Sequence, residues 1–430
     1  MHFLYSVLLG AASLILLPYF LIRGRRRYLH NLAERLGRLP RKARTGADQR
    51  RAIWIHAVSV GEVLTVGPLA QRLRERFPQF RLVISTTTET GQQLARERLP
   101  FADAVFYFPL DFPFAVRRVL RAIDPALVVV AETEIWPNFL RELRRASVPV
   151  VFVNGRISER SFRRYQRVAR FDSWFVREVM NETRLWLMQS EEDARRVREL
   201  GADEARVTVA GNMKYDFVPP DSGPLVSWFE EHVTRQERWP IVVAGSVLAG
   251  EEEQVLAGFD LVQRKWRRAL LVLAPRKPDR FDAAARLIQQ DGWKVQRRSG
   301  VRPGDALGEE ADVFLLDSVG ELAGFYRLAH AVFVGGSLVA AGGHNILEPA
   351  WFGRPPVFGP HMQNFHEMAK QFLGAGAAVQ VSSGPELGGA WIELIASLDR
   401  GERMGRAARA LVERNRGATQ RTLERIATVM

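Results

Sequence analysis

Cysteine is absent from this 430-residue chain, which rules out disulfides, zinc-thiolate sites and thiol nucleophiles and accords with a reducing compartment. Acid is scarce relative to base: 48 Asp and Glu stand against 61 Lys and Arg, a formal charge of +13. Charge alone therefore points to a polyanionic partner, whether nucleic acid, an anionic membrane surface or a phosphorylated substrate. There is no short-period repeat and no low-complexity tract. Chemistry must come from oxygen and nitrogen groups. With 47% hydrophobic content, the chain is long enough for two domains, each with its own core.

One long apolar run is present. Residues 1–22, MHFLYSVLLGAASLILLPYFLI, carry no formally charged side chain and approach the roughly 20 residues that span a bilayer. Arg23, Arg25, Arg26 and Arg27 follow, and no A-x-A pattern closes the run, so residues 1–24 read as an uncleaved anchor rather than a signal peptide. The positive-inside rule then places the rest of the chain at the cytoplasmic face of the inner membrane. Pro18 leaves a half-inserted helix open beside a spanning one.

Beyond the anchor, short β-branched runs alternate with amphipathic stretches rich in Arg and Leu: AIWIHAV from 52, RLVIST from 81, ALVVVAE from 126, VPVVFVNG from 148 and RLWLMQS from 184. A second series follows, PIVVAGS from 240, ALLVLAPRK from 269, DVFLLDS from 312 and AVFVGGS from 331. This alternation predicts an α/β fold of two Rossmann-like, doubly wound domains facing a cleft, with ligand groups at the strands' carboxyl ends. The expected domains are 25–214 and 239–404, joined by a Pro-rich linker over 215–238. A helix over 405–430 is placed to cross back to the first.

In the second series, FVGGSLVAAGGHNILEPA (333–350) runs from a strand through Gly335, Gly336, Ser337, Gly342 and Gly343 to a helix starting near Asn345, with Glu348 three residues on. Backbone N–H groups and a helix start aimed at one point make a phosphate cradle, and a glycine turn capped by Asn345 accounts for the same letters. Arg276 and Lys277 in APRK end another strand, where cations would neutralise a leaving phosphate. In the first series, Ser59, Gly61 and Glu62 of HAVSVGEV and Thr87 of STTTETGQ follow strands and open helices. They suit a sugar's polar groups, or simple capping by Ser59 and Thr90. Glu132 and Glu134 in ETEIWPN pair two carboxylates at a strand end, where a divalent metal is conceivable. Arg156 begins an arginine-rich stretch, 154–170, that suits lipid phosphates or nucleic acid, or forms a solvated face. Glu34 is the one acid in RRRYLHNLAERLGRLPRK (25–42), and its arginines favour an ionised carboxylate.

Taken in order, an acidic residue before RLG, then HAVSVGE, TTTETG, ETEIWPN, NGRIS, GNMKYD, APRK, GGSLVAAGGHNILEPA and GPHMQNF, the chain resembles the 3-deoxy-D-manno-octulosonic acid (Kdo) transferases, B-type glycosyltransferases of lipopolysaccharide synthesis. The resemblance runs to about residue 372. It implies transfer of Kdo from its cytidine monophosphate sugar (CMP-Kdo) to a hydroxyl of a lipid A precursor, with inversion. It also implies Glu34 as catalytic base and the first domain as acceptor site, with Ser59, Gly61, Glu62, Thr87, Glu132 and Arg156. The donor would lie in the second domain with Arg276, Lys277, Gly335, Gly336, Ser337, Asn345 and Glu348. No cofactor, metal or nucleic acid is expected for the transfer. Two departures stand out: GSVLAGEEE from Gly245 replaces a usual GSTH before Gly-Glu-Glu, and APRK replaces a common APRH. A glycosyltransferase of the same fold using a uridine-linked sugar is the nearest rival. A non-catalytic anchored binder of acidic lipid or nucleic acid is a more distant one.

Overall fold

The computed structural model describes residues 2–22, 31–46, 50–219, 223–302 and 305–430. The chain divides into two compact units, Met1–Asp216 with Asn415–Met430, and Phe217–Arg414. Each unit is built on one parallel sheet.

In the first unit the strands are β1 (Ala52–His56), β2 (Arg81–Thr86), β3 (Ala104–Tyr107), β4 (Pro125–Ala131), β5 (Val150–Gly155), β6 (Leu185–Met188) and β7 (Val207–Val209), in the order β3-β2-β1-β4-β5-β6-β7. The second unit has β8 (Ile241–Val247), β9 (Leu270–Pro275), β10 (Val295–Arg297), β11 (Val313–Leu315), β12 (Ala331–Val334), β13 (Pro356–Phe358) and β14 (Val379–Gln380), in the order β10-β11-β9-β8-β12-β13-β14. Both are doubly wound. The winding reverses between β1 and β4 in one sheet and between β8 and β12 in the other, and such switch points open a crevice at the strands' carboxyl ends.

Helices cover both faces of a parallel sheet, so its strands are apolar throughout. In β1, Trp54 packs with Phe106, Phe108 and Phe139 on one face, while Ile53 and Ile55 join Val66, Leu69 and Leu73 on the other. The last helix, Ala418–Ala427, adds Ala418, Leu423 and Ile426 to that second face. It is held there by Asp216, whose carboxylate accepts the Gly417 and Thr419 N–H groups at 2.5 Å each. Inside the stretch 215–238 read as a linker lies helix Pro224–Arg235, whose Val226 and Phe229 are buried in the second unit with Phe314 and Phe325.

The anchor expected over 1–24 is corrected. Its residues form helix His2–Ile22, yet among the described residues no helix is long and apolar enough to cross a membrane. Polar side chains in the helix's first turns instead find partners in the first unit. Tyr5 Oη–H donates to Asp111 at 2.9 Å, Ser6 Oγ–H donates to Asn138 Oδ1 at 3.1 Å, and the His2 ring meets Phe175 edge-on at 5.1 Å. The helix is thus docked on the first unit. The placement at an inner membrane, with its membrane-surface partner, rested on the anchor and is withdrawn with it. The arginine cluster at 23–27 lies outside the described residues.

Candidate active site

Glu34 sits in the one-turn helix Leu32–Arg35, which its neighbours fix in place. Arg35 donates to the Thr87 carbonyl at 2.6 Å and lies over the Tyr107 ring at 4.6 Å. The Leu110 N–H donates to the Arg35 carbonyl at 2.9 Å. Gly37 follows with φ 91°, where a Cβ would stand 2.7 Å from Arg118 Cβ. Arg-Leu-Gly is therefore the segment's fastening. It brings Glu34 Oε1 to the Tyr107 N–H at the end of β3, 2.6 Å away. The carboxyl is half-buried, and burial lifts its pKa above the usual range, against the Tyr107 N–H and the cations Arg96 and Arg35. Arginine does favour the ionised form, as expected, but burial outweighs it. A raised pKa gives a carboxylate more affinity for a proton it is to take up.

Hydrogen bonds lead from this segment to the β1–β4 switch point. The Thr87 and Thr88 N–H groups both donate to the Val58 carbonyl at 3.2 Å, and the Val58 N–H donates to Glu62 Oε2 at 2.7 Å. Ser59 is the N-cap residue of helix Val60–Arg76, but its hydroxyl donates to Glu62 Oε1 at 3.0 Å instead of capping. The cap expected from Thr90 belongs to Thr88, which accepts the Gly91 N–H at 3.1 Å. Gly61 is an open turn of the same helix, where a Cβ would meet nothing nearer than 3.9 Å. Burial pushes the Glu62 carboxyl up to about 7, with Glu132 and Glu134 adding to the rise and the Val58 and Ser59 bonds opposing it.

Glu132 follows β4 with φ 54°, its carboxylate 3.6 Å from Lys214 Nζ. The Arg156 N–H, past the end of β5, donates to Thr133 Oγ1 at 2.9 Å. The carboxyl of Glu134 is raised by burial and by Glu132. A metal shared by Glu132 and Glu134 has no third ligand within reach among the described residues. The residues read as an acceptor site are thus brought together along one sheet edge. Glu34 is linked to them through Arg35.

In the second unit the glycine loop differs from expectation. Past β8, Glu251 is fully buried. Its Oε2 accepts the Gly336 N–H at 2.6 Å and the Leu248 N–H at 2.9 Å, and its Oε1 accepts the Ser337 N–H at 2.9 Å and the Leu338 N–H at 2.8 Å. The amides read as a phosphate cradle are committed to this carboxylate. The Ser337 hydroxyl is also spent, donating to Val334 O and accepting from the Gly359 N–H. Gly335 is required by packing, since a Cβ would stand 2.4 Å from Ser246 O. The helix expected near Asn345 is only Leu347–Trp351, too short for much of a macrodipole.

Near this loop, Arg276, His344, Asn345 and Glu348 lie close enough to act on one another. Asn345 Nδ2 donates to Glu348 Oε1 at 3.2 Å. Burial raises the Glu348 carboxyl, opposed by Asn345 and Arg276. Burial, with Arg276 adding, lowers His344 to about 4, leaving a neutral ring, and its Nε2 has no hydrogen-bond partner among the described residues. Arg276 and Lys277 are exposed past β9. Sequence reading passed over Glu251 and His344. The signal for Glu251 was the Gly-Glu-Glu kept in GSVLAGEEE, and the GGHN tetrad was the one for His344.

Two outcomes are expected. Glu251→Gln leaves two of four N–H groups facing an amide NH₂ and should lower stability by about 3 kcal/mol in urea denaturation; an unmoved midpoint would refute the role. Glu62, with a folded pKa of about 7 against 4.5, binds more protons folded than unfolded, so its contribution is complete below pH 4.5 and lost as pH rises through 7. That amounts to ~3 kcal/mol. Urea titrations at pH 4.5 and 8 should show a smaller decline in Glu62→Gln than in the unaltered chain, and equal declines would exonerate Glu62.

A family model described as 3-Deoxy-D-manno-octulosonic-acid transferase (kdotransferase) matches residues 30–217, which include Glu34 and the β1–β4 loops. A 3-deoxy-D-manno-octulosonic acid transferase of Haemophilus influenzae is 34% identical over 403 residues, 93% of this chain and 91% of that protein. One of Bordetella pertussis is 33% identical over 392 residues, 89% and 88% of the two chains. Among solved structures, a putative UDP-N-acetylglucosamine 2-epimerase from Listeria monocytogenes superposes with a TM-score of 0.56 at 12% identity, over 88% of this chain and 95% of that one, a likeness of fold alone. Matched at 34% identity along 93% of its length, the chain belongs to the 3-deoxy-D-manno-octulosonic acid transferase family.

Proposed function

We propose that this chain transfers Kdo from CMP-Kdo to a hydroxyl of a lipid A precursor, with Glu34 as general base. Family membership along nearly the whole chain supports the reaction class. The observation that carries the assignment of the base is the Glu34 carboxyl, half-buried with a raised pKa and held by the Tyr107 N–H beside loops that present hydroxyls and carboxylates.

In this reading the acceptor hydroxyl attacks the anomeric carbon of Kdo while Glu34 takes its proton. The bond from that carbon to the phosphate oxygen breaks, and CMP leaves with the electron pair. One displacement inverts the configuration, and one base suffices. Ser59, Glu62, Thr87, Glu132 and Arg156 orient the acceptor, with Gly61 leaving room at the helix start. Arg276 and Lys277 stabilise charge on the departing phosphate, and Asn345 and Glu348 hold the nucleotide. Gly335, Gly336 and Ser337 act by shape, as a loop that Glu251 keeps in one conformation.

Incubation with CMP-Kdo and a tetraacylated lipid A precursor, read by mass spectrometry, should show mass increments of Kdo and count the sugars added. Product formed only from a uridine-linked sugar would overturn the donor assignment. Glu34→Gln should lower turnover by about 10²- to 10⁴-fold with CMP binding nearly unchanged. Near-normal turnover would remove Glu34 as the base.

A further inference from the structure

At the strand-start edge of the first sheet, just ahead of β6, three side chains converge that the transfer does not use. His2 Nε2 lies 3.6 Å from Glu178 Oε2 and 3.8 Å from Glu182 Oε1. One ligand atom from each can be chosen so that all lie within 4.8 Å of one another. These separations are too long for hydrogen bonds. They are close to the ~3.3 Å between neighbouring ligands of a four-coordinate zinc with bonds of about 2.0–2.2 Å.

His2 is 6% exposed and Glu182 8%, and neither ring nitrogen of His2 nor either carboxylate oxygen of Glu182 has a hydrogen-bond partner among the described residues. Buried polar atoms without partners are costly, and His2 Nε2, 3.8 Å from a Glu182 carboxylate that has no hydrogen-bond partner either, calls for an occupant. Arg144 approaches both carboxylates, at 3.8 and 3.9 Å, but its side chain is 61% exposed and makes no hydrogen bond to them. Glu178, in helix Ser173–Asn181, and Glu182, at its C-cap, are four residues apart and share a face.

We propose that His2, Glu178 and Glu182 bind a divalent transition-metal ion that fastens the start of helix His2–Ile22 to helix Ser173–Asn181, with water completing the coordination. Nitrogen and carboxylate donors suit zinc, and two carboxylates neutralise its charge. The ion's role is to dock the helix, at the edge opposite Glu62 and Glu132.

The test is calorimetric titration of the full chain, free of any histidine tag, with zinc chloride. One equivalent should bind, and the thermal midpoint should rise with zinc. His2→Asn and Glu182→Gln should abolish the rise, and Glu178→Gln, at a more exposed position, should weaken binding by about tenfold or more. Absence of binding to the unaltered chain, or equal binding by folded variants, overturns the site. Melting of each variant without zinc shows whether it has folded.

Discussion

A buried carboxylate taking up backbone N–H groups is the interaction on which both units rely. Glu251 takes four such groups and sets the glycine loop. Asp111 accepts the Asn138 and Phe139 N–H groups at 3.1 and 2.7 Å, at the start of helix Pro137–Arg145, and the Tyr5 hydroxyl besides. Asp193 accepts the Ile157 N–H at 2.8 Å past β5, and Asp216, half-buried, holds the last helix in the same way. Loops at the ends of parallel strands leave donors that no ladder satisfies, and a carboxylate satisfies several with charge-assisted bonds about twice as strong as neutral ones. Arginine and lysine cannot substitute, since they have no acceptor. In a chain short of acid, several of its acids are thus inside, and the formal charge of +13 is carried mainly by the surface.

The two crevices differ in electrostatic character. The first unit collects carboxyls whose pKa values burial has raised, Glu34, Glu62 and Glu134. The second presents the cation Arg276 beside a neutral histidine and the raised carboxyl of Glu348. A carboxyl that is to take up a proton and a cation that is to face an anion need opposite environments, and each sheet supplies one of them.

Much of this was legible in the chain's letters. Each of the nine β-branched runs holds a strand, because strands covered on both faces must be apolar throughout. The five strands that no run announced, β3, β7, β10, β13 and β14, have two to four residues each and lie at or next to a sheet edge, too short to make an apolar run of their own. The loops at the switch points were legible too, as small and polar residues following strands. What the letters hide is which partner a polar group finds. Gly336 and Ser337 read as anion binders until the position of Glu251, 85 and 86 residues away in sequence, is known. Glu34 read as an acid kept ionised by arginines, whereas contact with the end of β3 half-buries it and burial prevails. The apolar run at the N-terminus read as uniform because Tyr5 and Ser6 weigh little in hydropathy, though each has a definite bond.

The hold of Asp216 on the last helix bears on how the protein is made. Ala418, Leu423 and Ile426 complete a core whose other members lie in the first half of the chain. During synthesis the first unit therefore leaves the ribosome with one face unfinished and waits through the translation of nearly two hundred further residues before its closing piece arrives. For that interval the face is open to chaperones and to the wrong neighbours, and the final residues of the chain set the moment at which the first unit is complete.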